Sequence, residues 1–93
     1  MIKEHTNELI RAYLQHCQLE KGLNQKTIKA YRIDLMQFSR YIGCDLCVCD
    51  KAAVQHYLSF LHDRYKAKSV KRKIASLKAF FTYLVDEEIL LSS

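Results

Sequence analysis

The sequence predicts an all-α domain of four helices, and three observations carry that prediction. The chain has 93 residues with no proline and only two glycines, so helix breakers are nearly absent. Apolar residues recur at steps of three and four in four separate stretches, the spacing of one helix face. Capping and stop residues fall between those stretches. A chain of this length buries roughly 60–65% of its unfolded surface, enough for one small core and no deep cleft. That bounds the chain at one domain, spanning residues 1–93. No internal repeat and no low-complexity segment interrupts it.

Helix 1 is expected to begin at Thr6 or Asn7, either of which can cap it. Leu9, Ile10, Tyr13, Leu14 and Cys17 form its apolar stripe, and Gly22 is the expected left-handed stop. Helix 2 has Asn24 as N-cap, with Leu23 and Ile28 placed as a hydrophobic staple. Ile28, Tyr31, Leu35, Phe38 and Ile42 face inward, and Gly43 ends the helix. Lys26, Lys29, Ile33, Met36 and Arg40 are expected on its outer side. A loop over Cys44–Cys49 follows, in which Leu46 and Val48 alternate as if turned inward. Asp50 caps helix 3, whose stripe is Val54, Tyr57, Leu58 and Leu61 and whose end lies near Tyr65. Helix 4 is expected from Lys68 or Ser69 to about Asp86, anchored by Val70, Ile74, Leu77, Phe81 and Leu84. Lys68, Ser69, Arg72 and Ser76 are expected on a face turned away from that stripe. The tail from Glu87 to Ser93 turns apolar and then small and polar, which reads as a domain edge before a linker.

Composition excludes several function classes. The N-terminus is polar and carries no signal peptide, and no apolar run approaches the roughly 18 residues of a membrane span. A cytoplasmic protein is expected. Cys17 reads as a small core residue. Cys44, Cys47 and Cys49 cluster without a fourth ligand at metal spacing, so they read as reduced thiols rather than a metal site. No function is read for these three. His5, His16, His56 and His62 fall on helix surfaces without an orienting partner, so no catalytic constellation forms. There is no glycine-rich phosphate loop, and no cofactor is expected.

Nucleic-acid binding has positive support. The net charge is +5 and the pI about 9.1, which calls for an anionic partner. From Arg64 to Val85 there is no acidic residue, while Arg64, Lys66, Lys68, Lys71, Arg72, Lys73 and Lys78 are cationic. A second basic group, Lys26, Lys29 and Arg32, occupies the first two turns of helix 2. Both groups sit at helix starts, where cations oppose the macrodipole, so helix stability does not explain them. Each also carries a hydroxyl beside a lysine, Thr27 by Lys26 and Ser69 by Lys68, suited to phosphate oxygens or base edges. The opposing reading is an ordinary solvated basic face. Tyr31, Phe38, Tyr57, Phe80, Phe81 and Tyr83 are capable of stacking on bases, but most fall on inward stripes and are expected in the core.

The run from Thr27 through Tyr31, Arg32, Asp34 and Leu35 to Phe38, followed by Tyr65 through Ser69, Arg72, Leu77 and Phe81 to Leu84, resembles a known family. It is similar to the N-terminal core-binding domain of tyrosine recombinases, the SAM-like domain of phage integrases and Xer-type recombinases. Tyr13-Leu14 and the turn from Glu20 to Asn24 also look like that family. The resemblance implies a four-helix domain on one face of double-stranded DNA, with a separate C-terminal catalytic domain on the other and contacts to other recombinase protomers. It implies that helices 2 and 4 approach the DNA. The residues expected to contact it are Asn24, Lys26, Thr27, Lys29, Arg32, Lys66, Lys68, Ser69, Lys71, Arg72 and Lys73. Tyr31, Asp34, Leu35 and Phe38 match positions with a structural role, and Asp34 is placed to pair with a neighbouring cation and orient it. The family's catalytic Arg, Lys, His-x-x-Arg and Tyr have no counterpart here, so the chain is expected to be an excised fragment with no nucleophile among its six tyrosines. Ile33 stands where a basic residue is often found, and with Met36 it suggests a protein contact. The rival readings are a helical protein-interaction adaptor and a helix-turn-helix regulator. The regulator fits less well, because the turn before helix 4 lacks a glycine.

Overall fold

A computed structural model of the chain describes residues 2–43 and 49–90, with side chains from His5 onward. Its elements are α1 (Ile2–Leu19), α2 (Gln25–Ile42), α3 (Lys51–Arg64) and α4 (Ala67–Asp86). No strand occurs among the described residues. The expectations for Cys44, Leu46, Cys47 and Val48 lie outside the described residues.

Local chemistry accounts for most of the boundaries. The Asn24 side chain accepts a hydrogen bond from the Thr27 N–H at 2.9 Å, and the Asp50 side chain does the same for Ala53 at 2.9 Å. Each satisfies a backbone donor that the first helical turn leaves open. Gly22 and Gly43 adopt φ of +64° and +61°, the left-handed turn that glycine makes without strain. The Gly43 N–H then closes α2 on the Ser39 carbonyl at 3.2 Å. α1 begins about four residues before the expected cap. Thr6 is fully buried, and Asn7 accepts a hydrogen bond from the Ser39 hydroxyl at 3.0 Å. Both residues thus lie inside α1, and the Asn7 side chain bonds to α2.

α4 starts at Ala67, slightly earlier than expected, and Lys66 gives it no side-chain cap. Its end is a Schellman turn. The Glu88 N–H reaches the Val85 carbonyl at 3.0 Å and the Ile89 N–H reaches the Leu84 carbonyl at 2.8 Å. Glu88 holds the left-handed position at φ +60°, where a side chain is disfavoured. The turn folds Leu90 back onto the core.

α2 and α4 are the central pair, each meeting the other three helices. The core gathers Ile10, Tyr13, Leu14 and Cys17 from α1, and Ile28, Leu35 and Phe38 from α2. α3 adds Tyr57 and Leu61, and α4 adds Val70, Leu77, Phe80 and Leu84. Met36, expected outside, also packs against this core. The aromatic residues serve packing. Tyr13 meets Phe80 and Tyr83 at ring separations of 5.4 and 5.2 Å, and Phe38 meets Tyr57 edge-on at 5.1 Å. Such pairs contribute about 0.5–1.5 kcal/mol beyond area burial.

The Tyr57 hydroxyl is buried without a hydrogen-bond partner among the described residues. Burial pushes its phenol pKa up, and the charges of Asp34 and Tyr65 add to that, so the ring stays neutral. Tyr57→Phe should therefore keep the packing, remove the desolvated hydroxyl and raise stability by about 1 kcal/mol in chemical denaturation. Glu88→Gly should relieve the left-handed strain and raise the thermal midpoint, by about 0.5–1 kcal/mol of stability.

Candidate nucleic-acid interface

The expected contact residues fall into three groups, and their exposure and partners decide which remain available. At the start of α2, Lys26, Lys29 and Arg32 are exposed and line a shallow depression of about 250 Å³ with Gln25 and Ile28. Asn24 is exposed, and its side-chain oxygen caps the helix through the Thr27 N–H. At the start of α4, Lys66 and Lys68 are exposed and Ser69 is half-buried. Lys71 is exposed but belongs to another side of α4. With Lys78 and His62 it borders an apolar groove of about 380 Å³ between α3 and α4, floored by Val70 and Ile74. Among the described residues, Lys26, Lys29, Arg32, Lys66, Lys68 and Lys71 have no acidic partner. Their charge is open to solvent and to any polyanion.

The third group departs from expectation. Lys73 is only 5% exposed, and its ammonium is taken up inside the protein. It donates to Asp34 Oδ1 at 2.9 Å and to Gln37 Oε1 at 2.7 Å, and lies 4.8 Å from the centre of the Tyr65 ring. Lys73 therefore belongs to the support of the surface, not to the surface. Ser76, expected beside Arg72 on an outward face, is buried as well. Its hydroxyl lies 3.3 Å from Asp34 Oδ2 and 3.2 Å from the Arg72 carbonyl. The reason is the seat of α2 against α4, which covers this side of the helix.

Asp34 organises that seat. Its carboxylate is buried, and it collects donors from three residues of α4. Arg72 binds it side-on, Nε to Oδ2 at 3.2 Å and Nη2 to Oδ1 at 3.0 Å. Lys73 and Ser76 supply the rest. Gln37 extends the network by donating from Nε2 to the Tyr65 hydroxyl at 2.7 Å. The carboxylate faces two cations, so the cluster carries one net positive charge. That charge appears at the surface through Arg72, whose side chain is 52% exposed. Three of the five guanidinium N–H donors lie outside the pair with Asp34. Chemically these are exposed cations at the starts of α2 and α4, with one guanidinium of α4 anchored on an α2 carboxylate, groups suited to phosphate or to a base edge.

Sequence reasoning placed Asp34 beside a neighbouring cation. The cations prove to be Arg72 and Lys73, 38 and 39 residues away. The burial of Lys73 has a signal in the period, since it lies three residues after Val70 and four before Leu77. Among the described residues, no group of His, Cys, Asp and Glu is placed to hold a metal, and no helix is long and apolar enough to cross a membrane.

Comparison with known proteins identifies the family. The profile of the family described as phage integrase, N-terminal SAM-like domain, matches residues 10–88. A tyrosine recombinase of Agathobacter rectalis is 48% identical over 85 residues, covering 90% of this chain and 28% of the relative. A tyrosine recombinase XerC of Roseiflexus castenholzii is 38% identical, covering 89% of this chain and 28% of the relative. A tyrosine recombinase XerD of Staphylococcus saprophyticus is 35% identical, covering 86% and 29%. The chain thus spans less than a third of the length of these relatives. No solved structure matches it significantly. Four helices, the order of their motifs and a profile match from Ile10 to Glu88 lead to one assignment: the chain belongs to the phage integrase N-terminal SAM-like domain family, the N-terminal domain of tyrosine recombinases.

Proposed function

We propose that this chain is the DNA-binding, core-binding module of a tyrosine recombinase, which holds duplex DNA while a separate catalytic domain of the full-length protein cuts and rejoins it. The observation that carries this reading is the exposed cations of α2 and α4 that have no acidic partner among the described residues, together with the exposed guanidinium of Arg72 held on Asp34. The contacting residues are Lys26, Thr27, Lys29 and Arg32 from α2 and Lys66, Lys68, Ser69 and Arg72 from α4. Asn24 sets the start of α2 and so the position of Thr27. Lys71 lies to one side of this surface. The neutralised phosphates supply affinity and orientation, with counterions released as the duplex docks. The full-length protein would work in the cytoplasm beside other recombinase protomers. Ile33, 55% exposed among the basic residues of α2, is the candidate apolar contact between them.

The triple variant Lys26→Ala, Lys29→Ala, Lys68→Ala tests the surface. All three side chains are exposed, so the melting curve should barely move. Binding to a short duplex, measured against salt, should weaken. The slope of log affinity on log salt should fall by about 0.9 for each phosphate that is no longer neutralised. An unchanged affinity and slope would show that the DNA lies elsewhere.

A further inference from the structure

We propose that Asp34 is a positioning residue for DNA recognition, and that Lys73 is its buried counter-charge; this rests on the DNA-binding reading above. An arginine on an exposed helix face ordinarily samples many rotamers, and ordering it on a ligand opposes binding. Here the Arg72 fork is already fixed by two hydrogen bonds to one carboxylate. That carboxylate is itself immobile, being 1% exposed and held by Lys73 and Ser76 as well. The side-on pairing through Nε and Nη2 leaves the Nη1 end of the guanidinium for a ligand. Arg72 thus meets DNA with its direction set before contact.

Lys73 explains why the carboxylate does not cancel the arginine. Asp34 and Arg72 alone would form a neutral pair with little pull on a phosphate. With the Lys73 ammonium 2.9 Å from Oδ1, the aspartate charge is balanced from inside and Arg72 keeps its field at the surface. The same ammonium makes the buried site tolerable, since an isolated carboxylate at this depth would be strongly disfavoured. The arrangement separates two tasks between adjacent residues of α4. Lys73 neutralises and Arg72 presents.

A double-mutant cycle tests this. Asp34→Asn alone would leave the Lys73 ammonium buried without an anion, so it is combined with Lys73→Met. The pair leaves the formal net charge unchanged, because one negative and one positive group are removed together. Affinity for a mixed-sequence duplex at low salt is measured with and without Arg72→Ala in both backgrounds. In the parent, Arg72→Ala should weaken binding about tenfold, the scale of a bidentate contact. In the Asp34→Asn/Lys73→Met background it should weaken binding by less than about twofold, because a freed Arg72 no longer delivers its contact. A tenfold loss in both backgrounds would overturn the positioning role while leaving the DNA surface intact. No loss in either background would overturn the positioning role, and the DNA surface itself would then fall only if the Lys26→Ala, Lys29→Ala, Lys68→Ala variant also bound as the parent does. Arg72→Lys gives a second readout that leaves Asp34 and Lys73 in place. It keeps the charge but not the fork, and should bind about as weakly as Arg72→Ala, whereas parental affinity would overturn the positioning role.

Discussion

A single carboxylate at 1% exposure joins the two central helices. Asp34 comes from the middle of α2 and takes its donors from Arg72, Lys73 and Ser76 of α4. The geometry is demanding. Turning α4 by one residue, about 100°, would carry both cations away and leave the charge bare in the interior. The apolar contacts around it are more tolerant, since Leu, Phe and Val fill a similar space in several registers. The ion cluster therefore defines how α4 sits on α2, and with it which residues of α4 are outside.

The parts of the fold that were legible in the sequence are the local ones. Asn24, Asp50, Gly22 and Gly43 do in the structure what their chemistry suggests, because a cap or a left-handed turn involves only residues a few positions away. The start of α1 is not legible locally, because Asn7, a capping residue by type, is drawn into a bond with Ser39, 32 residues distant. The end of α4 relies on Glu88 in a conformation that glycine usually supplies, so no residue type announced it. In the interface, residue type and period pointed in opposite directions. Lys73 and Ser76 look like surface residues by type, yet Lys73 lies on the arc shared with Val70 and Leu77. Polar residues on a buried arc need a polar partner, and that partner was visible only once α2 and α4 were brought together.

α4 is thus a helix with two different sides in use. Its flank at Lys68 and Arg72 lies by α2, where the anchored guanidinium emerges. Its flank at Lys71 and Lys78 borders the groove toward α3. Lys71 and Arg72 are adjacent in sequence and face different surroundings. A charge count along the chain merges these flanks into one basic run, although the helical turn divides them.

The burial of Lys73 also separates the salt response of the fold from that of its surface. Ions screen exposed charges over about 8–10 Å at ordinary ionic strength but reach a buried pair poorly. The Lys73 and Asp34 side chains, at 6% and 1% exposure, keep their attraction in brine that would blunt the field of Lys26 or Lys68. Concentrated salt therefore weakens the field at this face while the scaffold beneath it stays assembled, so the surface potential and the fold answer to salt independently.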